Sequence, residues 1–264
     1  MENKRNGKIL REPAFEKVAE GIYNIMMPPA FNEYLVLGEE RALLIDSGMG
    51  IGSIREIVEQ ITDLPITLIN THGHPDHAGG NSEFEPALMN PAEFDVYERM
   101  ASLEFRIQDV SRMPNGAESV RRLKPTGPAP IPVQDGERLD LGNRTLQVLY
   151  TPGHTHGSIS IYDEKTGSLF NGDCTMANIT SMAGEECSTI AVMADSLRRM
   201  LALHPVRVMG GHMPNINGSE LIEKALDCCE DILNGARGEQ SPGQRALLYE
   251  KNGVGIRYRE DHIR

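Results

Sequence analysis

The distribution of apolar residues along the chain predicts alternating strands and helices. Three segments near the beginning have the composition of strands: Val18–Met27, Glu33–Leu37 and Arg41–Ile45. The apolar positions of Ile54–Ile61 recur at helical spacing, and Ser53 before them, with Glu56 three residues on, is typical of a capped helix start. Ile66–Asn70 then predicts a short buried strand, which leads directly into a histidine-rich segment.

The remainder of the chain continues this alternation after one interruption. The region 101–132 carries five prolines and a predicted helix over Leu103–Val110, so it is interpreted as an insertion. Four strands are predicted next: Glu137–Leu141, Arg144–Tyr150, Ser158–Tyr162 and Ser168–Phe170. A loop from Cys174 to Thr189 and four further elements follow: a helix over Asp195–Leu203, a strand over Val206–Met209, a helix over Ser219–Leu233 and a hairpin over Ala246–Tyr258. The pattern predicts a mixed α/β chain, with residues 1–264 forming a single domain of two similar halves.

Charge and composition limit the partners and the compartment. The formal net charge of −12 disfavours nucleic acids and anionic membrane surfaces as partners. No apolar run approaches the roughly 18 residues that a membrane helix needs, and Met1–Arg11 lacks the apolar core of a signal peptide. Four cysteines in 264 residues do not form a disulfide framework, so reduced thiols and a cytoplasmic location are expected.

The histidine-rich segment has the spacing of a metal site. Three of the eight histidines, His72, His74 and His77, fall within six residues, together with Asp76. In an extended segment residues i and i+2 point the same way, so His72 and His74 can bind one ion. Pro75 is suited to the first position of a helix, which would direct Asp76 and His77 to a second ion.

Three further candidate ligands each follow a predicted strand and lie beside a glycine. They are His154, Asp173 and His212. Loops at strand ends commonly supply binding residues, although each of these residues alone is equally compatible with an ordinary hydrogen-bonded role. Histidine and carboxylate ligands favour Zn²⁺, and Mn²⁺ and Fe²⁺ are compatible with the same donors.

The motifs resemble a known family. T-H-G-H-P-D-H-A-G-G, T-P-G-H-T, N-G-D and G-G-H-M-P are similar, in this order, to the successive motifs of the metallo-β-lactamase superfamily. The resemblance implies a four-layer αββα sandwich with two divalent metal ions. It assigns one ion to His72, His74 and His154, the other to Asp76, His77 and His212, and a bridging role to Asp173. It also implies that Asp46 orients a ligand histidine, and that Asp76 and Asp173 act in catalysis.

Within this superfamily the chain resembles glyoxalase II-like thioesterases and lactonases more than true β-lactamases, which lack the bridging aspartate. The basic C-terminal motif that binds glutathione in glyoxalase II is not found. The expected activity is metal-dependent hydrolysis, in which a metal-bridging hydroxide cleaves an ester, thioester, lactone or related carbonyl bond of a small molecule. The alternatives are a mononuclear iron persulfide dioxygenase and a non-catalytic member of the fold. A homo-oligomer is compatible with the sequence.

Two residues near the motifs have open roles. His156 follows the candidate ligand His154 by two residues, and either contacts the site or faces solvent. Cys174 directly follows Asp173, but the side chain next to a strand-end ligand usually points away from it, so a structural role is expected.

Overall fold

The computed structural model describes residues 13–28, 31–176, 178–212, 216–240 and 245–264. The chain divides into two compact units. The first unit comprises the described residues of Met1–Met89 together with Phe94–Ile131, and the second unit comprises those of Asn90–Glu93 and Pro132–Arg264. None of the described helices combines the length and the apolar character needed to cross a membrane.

The first unit is built on one sheet. Its strands are β1 Ala14–Ala19, β2 Ile22–Met27, β3 Phe31–Leu37, β4 Ala42–Ile45, β5 Ile66–Ile69, β6 Leu88–Met89 and β7 Ile131–Pro132, paired in this order. Strands β1 to β4 pair antiparallel, whereas β4, β5 and β6 pair parallel. The helices are α1 Ile54–Ile61, α2 Pro75–Ala78, α3 Phe94–Met100, α4 Leu103–Val110 and α5 Gly116–Arg121. The parallel pairs place the ends of β4 and β5 at the same edge of the sheet, where the loops carrying Asp46 and His72 begin.

Helix α1 forms as its sequence predicts. The side chain of Ser53 accepts a hydrogen bond from the Glu56 backbone N–H, and Ile54 and Val58 are buried. They belong to an apolar cluster that includes residues of β3, β4 and β5, among them Leu44. This packing secures the helix that follows the Asp46 loop.

The predicted strand Val18–Met27 is wrong in one respect, because it is a hairpin of two strands. β1 and β2 pair antiparallel, with Ala19 opposite Ile22. Gly21 has φ of 62°, a left-handed conformation that glycine adopts without a steric penalty, and it turns the chain there. A single glycine after a charged residue is a weaker turn signal than Asn-Gly, so the apolar residues on both sides of Gly21 were predicted to form one strand.

The region 101–132 is organised around a buried arginine. The region contains α4 with the predicted bounds Leu103–Val110. The Arg106 guanidinium donates hydrogen bonds to four backbone carbonyls, those of Met49, Ala101, Lys124 and Pro125, at 2.9–3.2 Å. Burial lowers the pKa of Arg106 to about 10, so the side chain remains charged at neutral pH. One side chain therefore joins both ends of the region to the loop that follows β4.

The second unit contains two sheets and two long helices. Its strands are β8 Arg138–Asp140, β9 Thr145–Tyr150, β10 Ile159–Asp163, β11 Ser168–Gly172, β12 Ile179–Met182, β13 Arg207–Gly210, β14 Ile216–Asn217, β15 Glu239–Gln240, β16 Leu247–Lys251 and β17 Val254–Tyr258. One sheet has the order β14-β13-β11-β10-β9-β8 and the other β12-β17-β16-β15. The helices are α6 Ile190–Leu201 and α7 Glu220–Leu233, which share a large apolar cluster with β12, β16 and β17.

Two sequence predictions in this unit need correction, and a third is confirmed. The expected loop Cys174–Thr189 contains β12, which pairs parallel with β17. The helix expected from Asp195 begins at Ile190, where the Thr189 side chain accepts a hydrogen bond from the Val192 N–H. The C-terminal hairpin is confirmed, and Asn252 and Gly253 at its turn have φ of 53° and 80°.

Candidate metal centre

The ends of β4 and β5 are joined by Asp46. The Oδ1 atom of Asp46 accepts a hydrogen bond from the Thr71 N–H at 2.7 Å, and its Oδ2 atom accepts one from the Thr71 hydroxyl at 2.8 Å. Asp46 is buried and has φ of 63°, a conformation that aspartate and asparagine tolerate better than most residues. The carboxylate is thereby held rigidly beneath the histidine-rich segment.

The same carboxylate orients His77. Helix α2 begins at Pro75, as predicted, with His74 as the N-cap residue, and this turn brings His77 back toward β4. His77 Nδ1 lies 2.8 Å from Asp46 Oδ2, and His77 Nε2 lies 3.8 Å from Asp76 Oδ2. A carboxylate at one ring nitrogen of a histidine is the usual means of presenting the other nitrogen to a metal.

His72 and His74 meet as the two-residue spacing predicts. His72 Nε2 lies 3.1 Å from His74 Nδ1, and the ring centroids are 4.6 Å apart. Two nitrogen ligands at about 2.0–2.1 Å from a tetrahedral ion are roughly 3.3 Å apart, so this pair fits a shared ion. His72 Nδ1 lies 3.1 Å from the Thr71 hydroxyl, which leaves Nε2 as the ring atom directed at His74. The donors present in the first unit therefore fit a metal ion.

Two glycines let the backbone pack tightly behind this segment. A Cβ atom on Gly79 would collide with the Met49 carbonyl, and one on Gly80 would collide with that of Ser47. In the space this leaves, the Ser47 N–H donates to the His77 carbonyl at 2.8 Å and the Gly80 N–H donates to the Ser47 hydroxyl at 3.1 Å. The close approach of these two backbone segments therefore requires glycine at positions 79 and 80.

In the second unit, Asp173 lies between two histidines. Strand β11 ends at Gly172, where φ is 50° and the register with β13 shifts, and the Gly211 N–H donates to the Gly172 carbonyl at 3.0 Å. This irregular end places Asp173 Oδ2 3.1 Å from His212 Nε2 and 3.6 Å from His154 Nε2. One carboxylate oxygen thus faces two imidazole nitrogens, an arrangement that a shared cation would stabilise.

His154 is oriented by a strand that the sequence did not predict. Its Nδ1 lies 2.8 Å from the Ser181 carbonyl oxygen in β12. A backbone carbonyl accepts the hydrogen bond of an Nδ1–H, so His154 presents Nε2 toward Asp173. A Cβ atom on Gly153 would collide with the Met193 sulfur, which explains the glycine before the histidine.

The structure brings the seven predicted residues together in two groups, one in each unit. The groups are His72, His74, Asp76 and His77 in the first unit, and His154, Asp173 and His212 in the second. Each of the seven is among the side chains able to hold a metal ion. Thr71 and Ser181, which orient His72 and His154, were missed. Thr71 adjoins the motif and could have been proposed, whereas Ser181 carries no local signal.

His156 and Cys174 lie outside both groups. His156 is exposed, and its Nδ1 lies 3.2 Å from the Ser188 hydroxyl, which agrees with the solvent-facing alternative. The Cys174 thiol donates to the Thr151 carbonyl at 3.2 Å. Burial raises the pKa of Cys174 to about 12, so the thiol is protonated at neutral pH. A protonated, buried thiol is neither a nucleophile nor a metal ligand.

We expect the replacement of Cys174 by alanine to leave metal binding nearly intact. All four cysteines are free and buried, so iodoacetamide at pH 8 should alkylate none of them in the native protein. Intact-mass spectrometry before and after denaturation measures this, with the unfolded chain as the positive control. A fast adduct on native Cys174, accompanied by loss of bound metal, would contradict a structural role for the thiol.

Comparison with known proteins agrees with this architecture. The family model described as the metallo-beta-lactamase superfamily matches residues 32–212. The acyl-coenzyme A thioesterase MBLAC2 of Homo sapiens is 31% identical over 159 residues, which are 54% of this chain and 57% of that protein. The match therefore spans little more than half the length of this curated relative.

Solved structures show the same fold. A metallo-beta-lactamase family protein of Thermus thermophilus superimposes with a TM-score of 0.61 at 22% identity, covering 83% of this chain and 82% of that one. The protein TTHA1623, solved in a di-iron-bound form, superimposes with a TM-score of 0.59 at 25% identity, covering 81% and 98%. The expected mixed α/β fold of the metallo-β-lactamase type is confirmed. Because the family model covers more than half of the sequence, the chain belongs to the metallo-β-lactamase superfamily.

Proposed function

We propose that the chain is a metal-dependent hydrolase that cleaves thioesters of small molecules. The observation that carries the proposal is the donor geometry of the two groups, in which His72 Nε2 lies 3.1 Å from His74 Nδ1 and Asp173 Oδ2 faces two imidazole nitrogens. Membership of the superfamily and similarity to a named acyl-coenzyme A thioesterase support hydrolysis of this bond.

We propose that all seven residues are ligands of two divalent ions. His72, His74 and His154 would hold one ion, Asp76, His77 and His212 the other, and Asp173 would bridge them. The donor set favours Zn²⁺, and Fe²⁺ or Mn²⁺ would bind the same atoms; one similar structure is named as di-iron-bound. A divalent ion lowers the pKa of bound water from 15.7 to about 7 and polarises a carbonyl oxygen, which is the chemistry that the hydrolysis requires.

The residues of the chain would divide the remaining tasks. Asp46 and the Ser181 carbonyl keep the His77 and His154 rings in orientation, so that binding substrate requires no rearrangement of ligands. The Asp76 side chain is 18% exposed, against 1% for His77, so solvent reaches its carboxylate. Asp76 would therefore accept the hydrogen bond of the attacking water. Asp173 would offset the positive charge of the ions that the histidines bind.

A thioester suits this site better than an oxygen ester. A thiol with an ordinary pKa near 8.5 leaves as a thiolate near neutral pH, whereas an alkoxide must first be protonated. In the proposed assignment the histidines bind the metal ions and the aspartates balance their charge, so none of them is a dedicated acid for an alkoxide.

The four free thiols suit a reducing compartment, and we place the enzyme in the cytoplasm as part of the same proposal.

The proposal is tested with a panel of matched substrates on the metal-loaded protein. Acyl thioesters, their oxygen-ester counterparts, lactones, β-lactams and phosphodiesters are compared by kcat/KM. We expect thioesters to exceed oxygen esters by at least about tenfold, and a chelator to abolish turnover until Zn²⁺ is returned. In ¹⁸O-labelled water the new carboxylate should carry the label in a single turnover. Oxygen consumption with a persulfide, or no turnover of any substrate by the metal-loaded protein, would overturn the proposal.

A further inference from the structure

A buried glutamate that the motifs do not include lies beneath the His154 loop. Glu93 is fully buried in the second unit, at the end of a short 3₁₀ helix, Pro91–Glu93. The helix is held by Asn90, whose carbonyl accepts the Glu93 N–H at 2.9 Å and whose side chain accepts the Ala92 N–H at 3.1 Å. This turn gives the Glu93 side chain a fixed starting point.

The Glu93 carboxylate binds the backbone of the loop that carries His154. Its Oε1 atom accepts a hydrogen bond from the Gly157 N–H at 2.7 Å, three residues after His154. The approach is close, because a Cβ atom on Gly157 would lie 2.8 Å from both Cγ and Oε1 of Glu93. Burying a carboxylate is costly unless it makes strong hydrogen bonds, so the contact is a specific one.

The loop between these residues transmits the position of Gly157 to His154. The Ser158 hydroxyl accepts the Thr155 N–H at 3.1 Å and lies 2.6 Å from the Thr155 hydroxyl, which makes 154–158 a compact turn. The Ser181 carbonyl fixes the ring of His154, at 2.8 Å from Nδ1. The ring is thus held from one side and the backbone from the other, and Glu93 supplies the second constraint.

We propose that Glu93 is a positioning residue for His154, acting through the Gly157 N–H to hold the imidazole where it binds metal. The inference rests on the proposed assignment of His154 as a metal ligand. Groups that orient a ligand from behind it commonly change metal affinity 10–100-fold when removed. The role requires an acceptor oxygen at the length of a glutamate side chain, so a glutamine amide oxygen should replace the carboxylate.

Three substitutions separate reach from charge. Glu93→Gln keeps an acceptor at the same distance, Glu93→Asp keeps the charge but is one methylene too short, and Glu93→Ala removes both. Zn²⁺ affinity is measured by competition with a chromophoric chelator, alongside kcat/KM and Tm. We expect Glu93→Ala and Glu93→Asp to weaken binding of one ion by at least about tenfold. Glu93→Gln should stay within about threefold of the original affinity.

Two control variants make the outcome decisive. His154→Ala sets the loss expected when the ligand itself is removed, and Glu98→Ala removes an exposed glutamate from the neighbouring helix α3. If His154→Ala leaves the affinity for each of the two proposed Zn²⁺ ions unchanged, the proposed ligand assignment is wrong. If His154→Ala weakens binding but folded Glu93→Ala or Glu93→Asp does not, Glu93 has no positioning role. Equal defects in Glu93→Gln and Glu93→Ala would also overturn the inference, because the hydrogen bond would then not be the cause. If Glu93→Ala does not fold, Glu93→Asp and Glu93→Gln decide the question.

Discussion

Replacing Asp173 with alanine is expected to lower kcat/KM by about 10³-fold and to reduce bound metal from the proposed two ions per chain to one. The loss corresponds to about 4 kcal/mol of transition-state stabilisation. The physical reason is that one oxygen, Oδ2, lies 3.1 Å from His212 Nε2 and 3.6 Å from His154 Nε2. Without this carboxylate the proposed site would have one negative charge fewer to offset two divalent ions, and the ion assigned to Asp76, His77 and His212 should dissociate first.

Elemental analysis after gel filtration and steady-state kinetics with a thioester measure both effects. Asp195→Ala is the matched control, since the Asp195 side chain is 79% exposed and pairs with the exposed Arg198. That exposed pair should contribute less than about 1 kcal/mol, and its loss should leave metal content unchanged. An Asp173→Ala protein with two tightly bound ions and near-normal turnover would exclude Asp173 as the bridging ligand.

The grouping of the first unit's candidate ligands was predictable because the sequence signals for it are local. The two-residue spacing brings His72 and His74 together, although the chain bends over residues 71–73 and is not an extended strand there. A proline at the first helical position is enough to start α2. The structure agrees, with His72 Nε2 3.1 Å from His74 Nδ1 and Pro75 at the start of α2. The same locality explains the success of the Asn252-Gly253 hairpin, whose turn chemistry is contained in two residues.

The residues that orient the ligands depend on partners far along the chain. Ser181 is in position to orient His154 because β12 pairs with β17. No short-range pattern in Ile179–Met182 predicts a parallel partner strand that lies more than 70 residues later in the sequence. Glu93 similarly contacts Gly157, 64 residues later in the sequence, because the short segment Asn90–Glu93 belongs to the second unit. Nothing in the local sequence distinguishes Arg106 from a surface arginine of a helix. Its four carbonyl partners come from three separate segments of the chain. Tertiary packing determines such contacts, so short-range patterns predicted the candidate ligands but not the residues that orient them.

Asp46 tests this relation between ligand and support most directly. Its two oxygens accept hydrogen bonds from the Thr71 N–H and hydroxyl and lie beside His77 Nδ1, all at 2.7–2.8 Å. Asp46→Asn preserves the left-handed backbone and the acceptor for the Thr71 N–H, but it turns an amide NH₂ toward both His77 Nδ1 and the Thr71 hydroxyl. We therefore expect a folded protein whose affinity for one ion falls about 10–100-fold, because the His77 ring loses the group that orients it.

Asp46→Ala should instead destabilise the fold itself. It removes the carboxylate that contacts the Thr71 N–H, the Thr71 hydroxyl and His77 Nδ1. It also leaves alanine, which has no side-chain hydrogen bond, at φ of 63°. The backbone conformation costs about 1–2 kcal/mol, and each unsatisfied buried donor costs about 1–3 kcal/mol more. Asn252→Ala, at an exposed turn with φ of 53°, measures the backbone cost alone. The free energy of unfolding in urea, measured on the metal-free proteins, should be lowest for Asp46→Ala, higher for Asp46→Asn and highest for Asn252→Ala. Equal stabilities for the alanine and asparagine variants, with unchanged Zn²⁺ affinity in both, would mean that Asp46 supports neither the loop nor the histidine, and that the position of His77 is determined by α2 alone.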